Sequence, residues 1–509
     1  MTLDLAAVLR GTHARAFRVL PDGQTSPADY LPGDVQRQIA SVQVDSRAAG
    51  PGDLFIALPG ERVDGHQFVG DALRLGARCA MVQWVPPAES LRDIYRDSGE
   101  EWADPRSLLV VPDALLALQN LARSWRLSQT AEIIGITGSI GKTSTKEVVY
   151  SLLSQFMPAL RSVANLNTEI GLPLMLLRLR PEHRVAVLEM GMYQAGDIAL
   201  LARVARPRIG IVTNVGPNHL ERMGTIERIA RAKSELVAAL PPDGLAILNG
   251  DDEWTRAMAR TTGVARTVLV GLSADCHYRA TDIESRSLDG MSFALQAEGQ
   301  SIRLRTTVPG RHLVHAFLFG VAIAREMGID WTSIADAVAL AALEGRQQII
   351  GSQNGLLIID DSYNAAPASM TAAIQLLSAA PGAKIAVLGD MLELGSQERD
   401  AHLMVGRQAA EVAEWLIVRG TRSDWIAQGA LEAGLPRERV LTVVSNEDAV
   451  RTVRQITERV PIQRAATGLP TMQSATNQQH EPKPEWSVLV KGSRGMRMEE
   501  VVHGLRGEG

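Results

Sequence analysis

A ten-residue stretch, Gly135-Ile-Thr-Gly-Ser-Ile-Gly-Lys-Thr-Ser144, gathers the groups that handle polyphosphate. Glycines let backbone N–H groups turn toward phosphate oxygens, and a helix starting at the loop adds its positive end. In that setting Lys142 reaches the outer phosphates and the Thr143 hydroxyl ligates Mg²⁺. The usual spacing is not kept, because Ile136 stands where the first glycine belongs and Gly138 supplies the bend. Thr137, Gly138, Ser139, Gly141, Lys142, Thr143 and Ser144 are read as the contacts to ATP. Such a loop serves kinases, GTPases, transport ATPases and ligases alike. No Asn-Lys-x-Asp guanine reader occurs, which argues against a GTPase. Three further polar residues follow. Glu189 ends the run Val185-Ala-Val-Leu-Glu189, where it suits Mg²⁺ or an ordinary helix cap. His219 lies in Thr213-Asn-Val-Gly-Pro-Asn-His-Leu220, and Lys233 lies on an amphipathic stretch where a solvated lysine is the ordinary reading.

Positioning these groups requires strands that end beside the loop. Glu132–Thr137, Val185–Glu189, Arg208–Thr213 and Leu245–Asn249 read as buried strands, with helices over Thr143–Gln155 and Thr225–Leu240. The alternation predicts a parallel sheet, and ligands of such sheets sit at the carboxyl ends of the strands. Residues 277–308 give three β-like stretches with turns at Leu288-Asp-Gly290 and Glu298-Gly299, read as an antiparallel appendage. A helix opens at Gly310 and runs to about Met327, and another covers 331–343. Upstream, short apolar runs (Leu54–Leu58, Ala80–Val82, Leu108–Val111) alternate with helical patterns, with a surface excursion at 86–106 and a helix at 113–128. Downstream, strands at Leu356–Asp360, Lys384–Leu388, Trp415–Val418, Val440–Val444 and Ser487–Val490 form another α/β block. Residues 461–485 are polar, Gln-rich and Pro-containing, and read as a disordered insertion. The fold class is therefore α/β in three domains: an N-terminal α/β domain over 1–128, a central phosphate-loop ATPase-like parallel sheet with the antiparallel appendage over 129–347, and a C-terminal Rossmann-like domain over 348–509.

Composition bounds the partners. The 509 residues suit about three domains. A formal net charge of -5 gives no support for nucleic-acid binding, whose footprint is basic. Two cysteines, Cys79 and Cys276, form neither a disulfide framework nor a metal cluster and fit a reducing cytoplasm. The opening residues, with Asp4 in a short apolar stretch, do not read as a secretory leader, and no apolar run is long enough for a membrane span.

Several blocks together resemble the Mur ligase family. They are Val44-Asp-Ser-Arg47, Pro51–Gly60 and Asp64-Gly-His66; the phosphate loop; Asn165-Leu-Asn-Thr-Glu-Ile-Gly-Leu-Pro173; Glu189-Met-Gly191; His219-Leu-Glu221; and Ala232-Lys-Ser-Glu235. In the last block of the chain, Asp360-Asp-Ser-Tyr-Asn-Ala365, Gly389-Asp-Met-Leu-Glu-Leu-Gly395 with His402, and Lys491-Gly-Ser-Arg494 resemble the branch that adds D-alanyl-D-alanine. The resemblance spans residues from about 40 to the end, outside 86–106 and 461–485. It implies an ATP-dependent ligase of peptidoglycan precursor synthesis that joins D-alanyl-D-alanine to UDP-N-acetylmuramoyl-tripeptide through an acyl phosphate, as a cytoplasmic monomer. Residues 1–128 then hold the UDP-sugar. Two Mg²⁺ ions are implied, with Thr143 and Glu189 on one, and His219 and Lys233, carbamylated by CO₂, supporting the other. The resemblance makes Lys142, Glu189, His219, Lys233 and Asp361 catalytic, adds Arg346 and Asp361 to the ATP contacts, and gives substrate binding to Ser46, Arg47, Asn165, Asn167, Thr168, Asn364 and Lys491.

Two motifs depart from the family pattern. Leu313 and Ala316 replace amides that contact adenine, and Ala366 replaces an Asn in Tyr363-Asn-Ala-Ala-Pro367. Because an acyl phosphate is water-labile, the last domain is expected to close before chemistry, bringing Asp361, Asn364 and Lys491 to the site. Competing readings are a sister ligase or folate-type ligase with another amine donor, and a non-catalytic nucleotide-binding protein. A dehydrogenase is disfavoured because no Gly-x-Gly-x-x-Gly follows the first strand of the last block.

Overall fold

The computed structural model describes residues 3–28, 36–60, 63–95, 106–163, 166–217, 220–261, 266–343, 348–351, 356–392, 394–459 and 484–507. Residues 96–105 of the expected excursion at 86–106, and all but the end of the expected insertion at 461–485, lie outside these residues. The described residues build three sheets of a mixed α/β fold, the class read from the sequence. Two compact units contain them: Met1–Arg279 with His315–Gly328, and Ala280–Val314 with Ile329–Gly509.

The first unit opens with a six-stranded sheet. Its strands are β1 (Arg15–Val19), β2 (Thr25–Pro27), β3 (Val42–Gln43), β4 (Leu54–Ile56), β5 (Cys79–Val82) and β6 (Ser107–Val110), in the order β2-β1-β6-β5-β4-β3. The pairs from β3 through β6 are parallel, while β1 runs antiparallel to both β2 and β6. β4 and β5 are buried at every residue, the signature of parallel strands covered on both faces.

The helix Ala114–Leu127 links this sheet to the next, starting at Asp113, whose carboxylate accepts from the Leu116 amide at 2.9 Å. One face (Leu118, Leu121, Trp125) belongs to a core that contains both Ile56 and Met81 of the first sheet and Leu188 of the second. Trp125 Nε1 donates to the Leu179 carbonyl at 3.2 Å and Arg126 Nε to that of Ala205 at 3.1 Å, so the helix is tied to the following layer as well as packed on it.

The central strands are β7 (Glu132–Thr137), β8 (Ala159–Arg161), β9 (Val185–Glu189), β10 (Ile209–Val212), β11 (Leu245–Asn249), β12 (Arg266–Gly271) and β13 (Tyr278–Ser285). Their order is β13-β12-β11-β10-β7-β9-β8, and every pair is parallel. β7 thus lies between β9 and β10, and the loops that follow all three emerge at one edge. The sequence reading did not single out β12, whose half-exposed Arg-Thr-Val-Leu-Val-Gly pattern is weaker than the continuous apolar runs of β9 and β11.

The chain passes to the second unit within β13. There β14 (Met291–Ala297) and β15 (Gln300–Thr306) form the expected antiparallel hairpin. Its two turn residues, Glu298 and Gly299, have φ of 50° and 74°, the left-handed pair that matches strand twist in a two-residue turn. The remaining strands are β16 (Gln348–Gly351), β17 (Leu356–Asp361), β18 (Ala383–Gly389), β19 (Trp415–Arg419), β20 (Val440–Val443) and β21 (Trp486–Lys491). Their order is β16-β17-β21-β18-β19-β20, antiparallel only at β16. The last strand of the chain therefore fills the middle of this sheet, with separate apolar clusters on its two faces. Among the described residues, no helix is long and apolar enough to cross a membrane.

Candidate active site at the edge of the central sheet

The phosphate loop is the turn between β7 and the helix Lys142–Leu153. Gly138 has φ of 148° and Gly141, which caps the helix, has φ of 84°, so both sit where a side chain is strained. A Cβ on Gly138 would collide with the Thr213 hydroxyl, whereas one on Gly141 would meet no atom within 4 Å. The backbone at Gly141 therefore faces open space, the condition for a phosphate to approach its N–H groups.

The segment after β10 straps this loop in place. Ser139 N donates to the Asn214 carbonyl at 3.1 Å, and Ile140 N to Asn214 Oδ1 at 2.9 Å. Thr213 Oγ1 and Asn214 Nδ2 donate to the Ile140 carbonyl at 2.6 and 3.0 Å. Gly216 N donates to Ser139 Oγ at 2.8 Å, and that hydroxyl donates to the Gly216 carbonyl at 3.1 Å. Asn249 Nδ2, at the end of β11, donates to the Thr213 carbonyl at 2.9 Å and supports the strap from behind. Thr213, Asn214 and Asn249 were not anticipated as site residues. The run of polar residues directly after β10 is the signal that marks two of them.

Lys142 curls over the loop, its ammonium donating to the carbonyls of Gly138 at 2.7 Å and Ser139 at 3.3 Å. Burial lowers its pKa, and the Glu189 carboxylate opposes that shift. Thr143 Oγ1 donates to Glu189 Oε2 at 3.0 Å, joining the first turn of the helix to the end of β9. Glu189 is buried; its other oxygen accepts from Asn167 Nδ2 at 3.2 Å, and its amide donates to Ser162 Oγ at 3.0 Å. Ser162 in turn accepts at its carbonyl from Lys146 Nζ at 2.8 Å, another pair that sequence reasoning missed because no local pattern marks it. The Thr137 hydroxyl, at the root of the loop, is buried without a hydrogen-bond partner.

Lys233 is on the helix Ile226–Ala238, whose N-cap Thr225 accepts from the Arg228 amide. The side chain is 2% exposed, and its nitrogen lies 4.0 Å from the Met192 sulfur. Burial lowers the amine pKa to about 7, with the positive charge of Lys142 acting in the same direction. This lysine is not the solvated residue that helix periodicity alone suggests.

The other expected site residues divide by location. Asn165, His219 and Arg346 lie outside the described residues. Ser144 falls in the first turn of the helix after the loop. Thr168 Oγ1 accepts from the Gly171 amide at 3.2 Å at the start of the helix Gly171–Leu176. Ser46 starts a short turn over Ser46–Ala48, where Arg47 forms a two-pronged pair with Asp45 at 2.9 and 2.7 Å. Asp361, Asn364 and Lys491 cluster in the second unit. There Lys491 Nζ, 1% exposed, contacts Asp361 Oδ2 at 2.5 Å and the Asn364 carbonyl at 2.9 Å, linking the ends of β17 and β21. His402, also buried, accepts from the Met391 amide at 2.9 Å and donates to the Glu398 carbonyl at 2.6 Å, fixing the loop after β18.

The donor set fits hard cations. Thr143 and Glu189 present oxygens beside the phosphate loop, as Mg²⁺ requires. Lys233 as an ammonium does not fit, but burial lowers its pKa to about 7, so at pH 7 a large fraction of it is the uncharged amine.

Three family models match the chain: "Mur ligase family, catalytic domain" over residues 38–126, "Mur ligase middle domain" over 136–324, and "Mur ligase, glutamate ligase domain" over 345–462. The UDP-N-acetylmuramoyl-tripeptide–D-alanyl-D-alanine ligase of Escherichia coli (strain K12) is 33% identical over 486 residues, 94% of this chain and 97% of that protein. The ligase of the same name from Synechocystis sp. is 36% identical over 397 residues, 77% of this chain and 82% of that protein. Among solved structures, a crystal structure of MurF from Acinetobacter baumannii superimposes with a TM-score of 0.79 at 29% identity, covering 100% of this chain and 99% of that one. A second structure from that organism, named UDP-N-acetylmuramoylalanyl-D-glutamyl-2,6-diaminopimelate–D-alanyl-D-alanyl ligase, gives 0.75 at 28% identity, with 100% and 99% covered. Thermotoga maritima MurF in complex with ADP gives 0.67 at 26% identity, with 92% and 98% covered.

Proposed function

The chain belongs to the Mur ligase family, and we propose on that footing that it joins D-alanyl-D-alanine to the terminal carboxylate of UDP-N-acetylmuramoyl-tripeptide while cleaving ATP to ADP and phosphate. The observation that carries this reading is the contact between Thr143 of the phosphate loop and Glu189 of the neighbouring strand, with buried Lys233 near the same edge, in a chain that aligns with such ligases almost end to end. The reaction belongs to peptidoglycan precursor synthesis, and its use of ATP and a nucleotide-linked substrate supports a cytoplasmic setting.

The peptide carboxylate attacks the γ-phosphorus, ADP leaves, and the resulting acyl phosphate is attacked by the free amine of D-alanyl-D-alanine. The amide forms as phosphate departs carrying one carboxylate oxygen, and the amine gives up a proton. Lys142 holds charge on the transferring group, and the loop amides orient it. Thr143 and Glu189 would hold one Mg²⁺, which would supply positive charge against the phosphates. Buried Lys233, whose pKa is lowered to about 7, would on combining with CO₂ and releasing a proton carry a carbamate whose carboxylate-like oxygens, with His219, would support a second Mg²⁺. Residues 1–128 are assigned to the UDP-sugar, with Ser46 and Arg47 among its contacts, 129–347 to ATP, and 348–509 to the ligase domain. Asn165, Asn167 and Thr168 are assigned to the nucleotide peptide, Arg346 and Asp361 to ATP, and Asn364 and Lys491 to the peptide substrates.

A phosphate-release assay tests the assignment, with nucleotide dipeptide and tripeptide acceptors crossed against alanine and D-alanyl-D-alanine. Release is expected only for tripeptide with D-alanyl-D-alanine. Release with any other pair at equal or greater rate, or with ATP alone, rejects it.

A further inference from the structure

Two residues outside the machinery described above meet beside it. Tyr193 comes four residues after Glu189 in the loop that leaves β9, and Arg222 is on the short helix Leu220–Met223 that follows β10. Because β9 and β10 flank β7, these connections leave the sheet on opposite sides of the phosphate loop. The Arg222 guanidinium carbon lies 5.5 Å from the centre of the Tyr193 ring, so the pair joins one connection to the other.

The pair is mounted on a fixed backbone. Asp197 Oδ2 accepts from the amides of Tyr193 at 2.7 Å and Gln194 at 2.9 Å. Glu235 accepts from the amides of Gly196 at 2.8 Å and Ala199 at 3.0 Å, clamping the far end of the same loop to the helix that carries Lys233. Met192, next to Tyr193, packs its sulfur against Lys233. Yet the Tyr193 side of this ordered loop turns outward: the residue is 51% exposed, and Arg222 is exposed as well. Among the described residues, no carboxylate forms an ion pair with Arg222. A guanidinium that lies over an aromatic ring keeps its in-plane N–H donors free to grip a carboxylate through two parallel hydrogen bonds.

We propose that Tyr193 and Arg222 form a clamp for a non-reacting carboxylate of the nucleotide peptide. The proposal rests on the ligase reading above, because that reading supplies the ligand. A glutamyl residue joined through one carboxyl keeps the other, and a third-position 2,6-diaminopimelate, as named for one structural neighbour, keeps a second carboxylate at the far end of its chain from the reacting one. Phosphate is the lesser candidate, since the phosphate loop and Lys142 already form a cradle for it.

The test is steady-state kinetics on the full chain with each substrate varied in turn, for the wild type, Arg222→Ala, Arg222→Lys and Tyr193→Ala. Arg222→Ala is expected to raise KM for the nucleotide tripeptide by about 10- to 100-fold, the loss of a charge-assisted pair, with little change in KM for ATP or D-alanyl-D-alanine. Arg222→Lys recovers part of the loss, and Tyr193→Ala reproduces part of it. Two tripeptide analogues, each amidated at one non-reacting carboxylate, complete the cycle: one of them binds the wild type more weakly by the same factor and loses nothing further on Arg222→Ala. A rise in KM for ATP instead, unchanged kinetics, or additive losses for both analogues overturns the clamp. A wild type that releases no phosphate with any substrate pair rejects the ligase reading itself, and the clamp with it.

Discussion

At the scale of single residues, Lys233 shows how burial changes what a side chain can do. Periodicity places it on an amphipathic helix, where a lysine ordinarily extends into water. The fold instead leaves it 2% exposed against a thioether, with its pKa near 7. An amine that loses its proton this readily is nucleophilic at neutral pH. Replacing it with alanine is expected to lower turnover by about 100-fold, the usual size of a lost metal-supporting group. If Lys233 carries the proposed carbamate, millimolar amounts of a short carboxylic acid should restore part of that turnover by standing in for it. Full activity of Lys233→Ala without the acid contradicts the assigned role. The lysine was legible as a candidate only through the motif around it, because its depth depends on how distant segments pack.

At the scale of elements, the strands that carry chemistry were the easiest to read. β7, β9 and β11 match the expected Glu132–Thr137, Val185–Glu189 and Leu245–Asn249, since covered parallel strands are written as unbroken apolar runs. β8 and β16 were not foreseen, because each is a short edge strand whose residues are only half buried or exposed. The strap from Thr213 and Asn214 was equally invisible, as its hydrogen bonds join residues more than seventy positions apart. That strap makes Gly138 and Gly141 unequal despite their shared left-handed geometry. Gly138→Ala must displace the Thr213 hydroxyl from the Ile140 carbonyl and is expected to weaken ATP binding by about 10-fold or more, reflecting backbone strain of about 1–3 kcal/mol. Gly141→Ala meets no atom within 4 Å and carries conformational strain alone, about 1–2 kcal/mol. Calorimetric titration with ATP ranks the two, and a weaker effect at Gly138 than at Gly141 contradicts the strap.

At the scale of the whole molecule, Lys233 and Lys142, both lowered by burial, contribute to how stability depends on pH. Lys233 has a folded pKa of about 7 against an ordinary 10.5. Below about pH 7 both folded and unfolded chains carry the proton, and the cost of burying the ammonium is fully in force. Between about 7 and 10.5 the unfolded chain holds more protons, so stability rises with pH. Lys142, also shifted downward by burial, adds a slope of the same sign. In CO₂-free buffer, Lys233→Met is expected to exceed the wild type in stability most at pH 6, with the gap narrowing toward pH 10. Denaturant unfolding at pH 6, 8 and 10 measures this, and curves that stay parallel contradict it.

The central claim is that the peptide carboxylate itself attacks ATP at the phosphate-loop edge. Tripeptide labelled with ¹⁸O in its terminal carboxylate tests this when turned over with ATP and D-alanyl-D-alanine and the released phosphate is analysed by mass. One labelled oxygen per phosphate is the predicted result. Phosphate free of label, formed together with the amide product, would mean the carboxylate is activated in some other way.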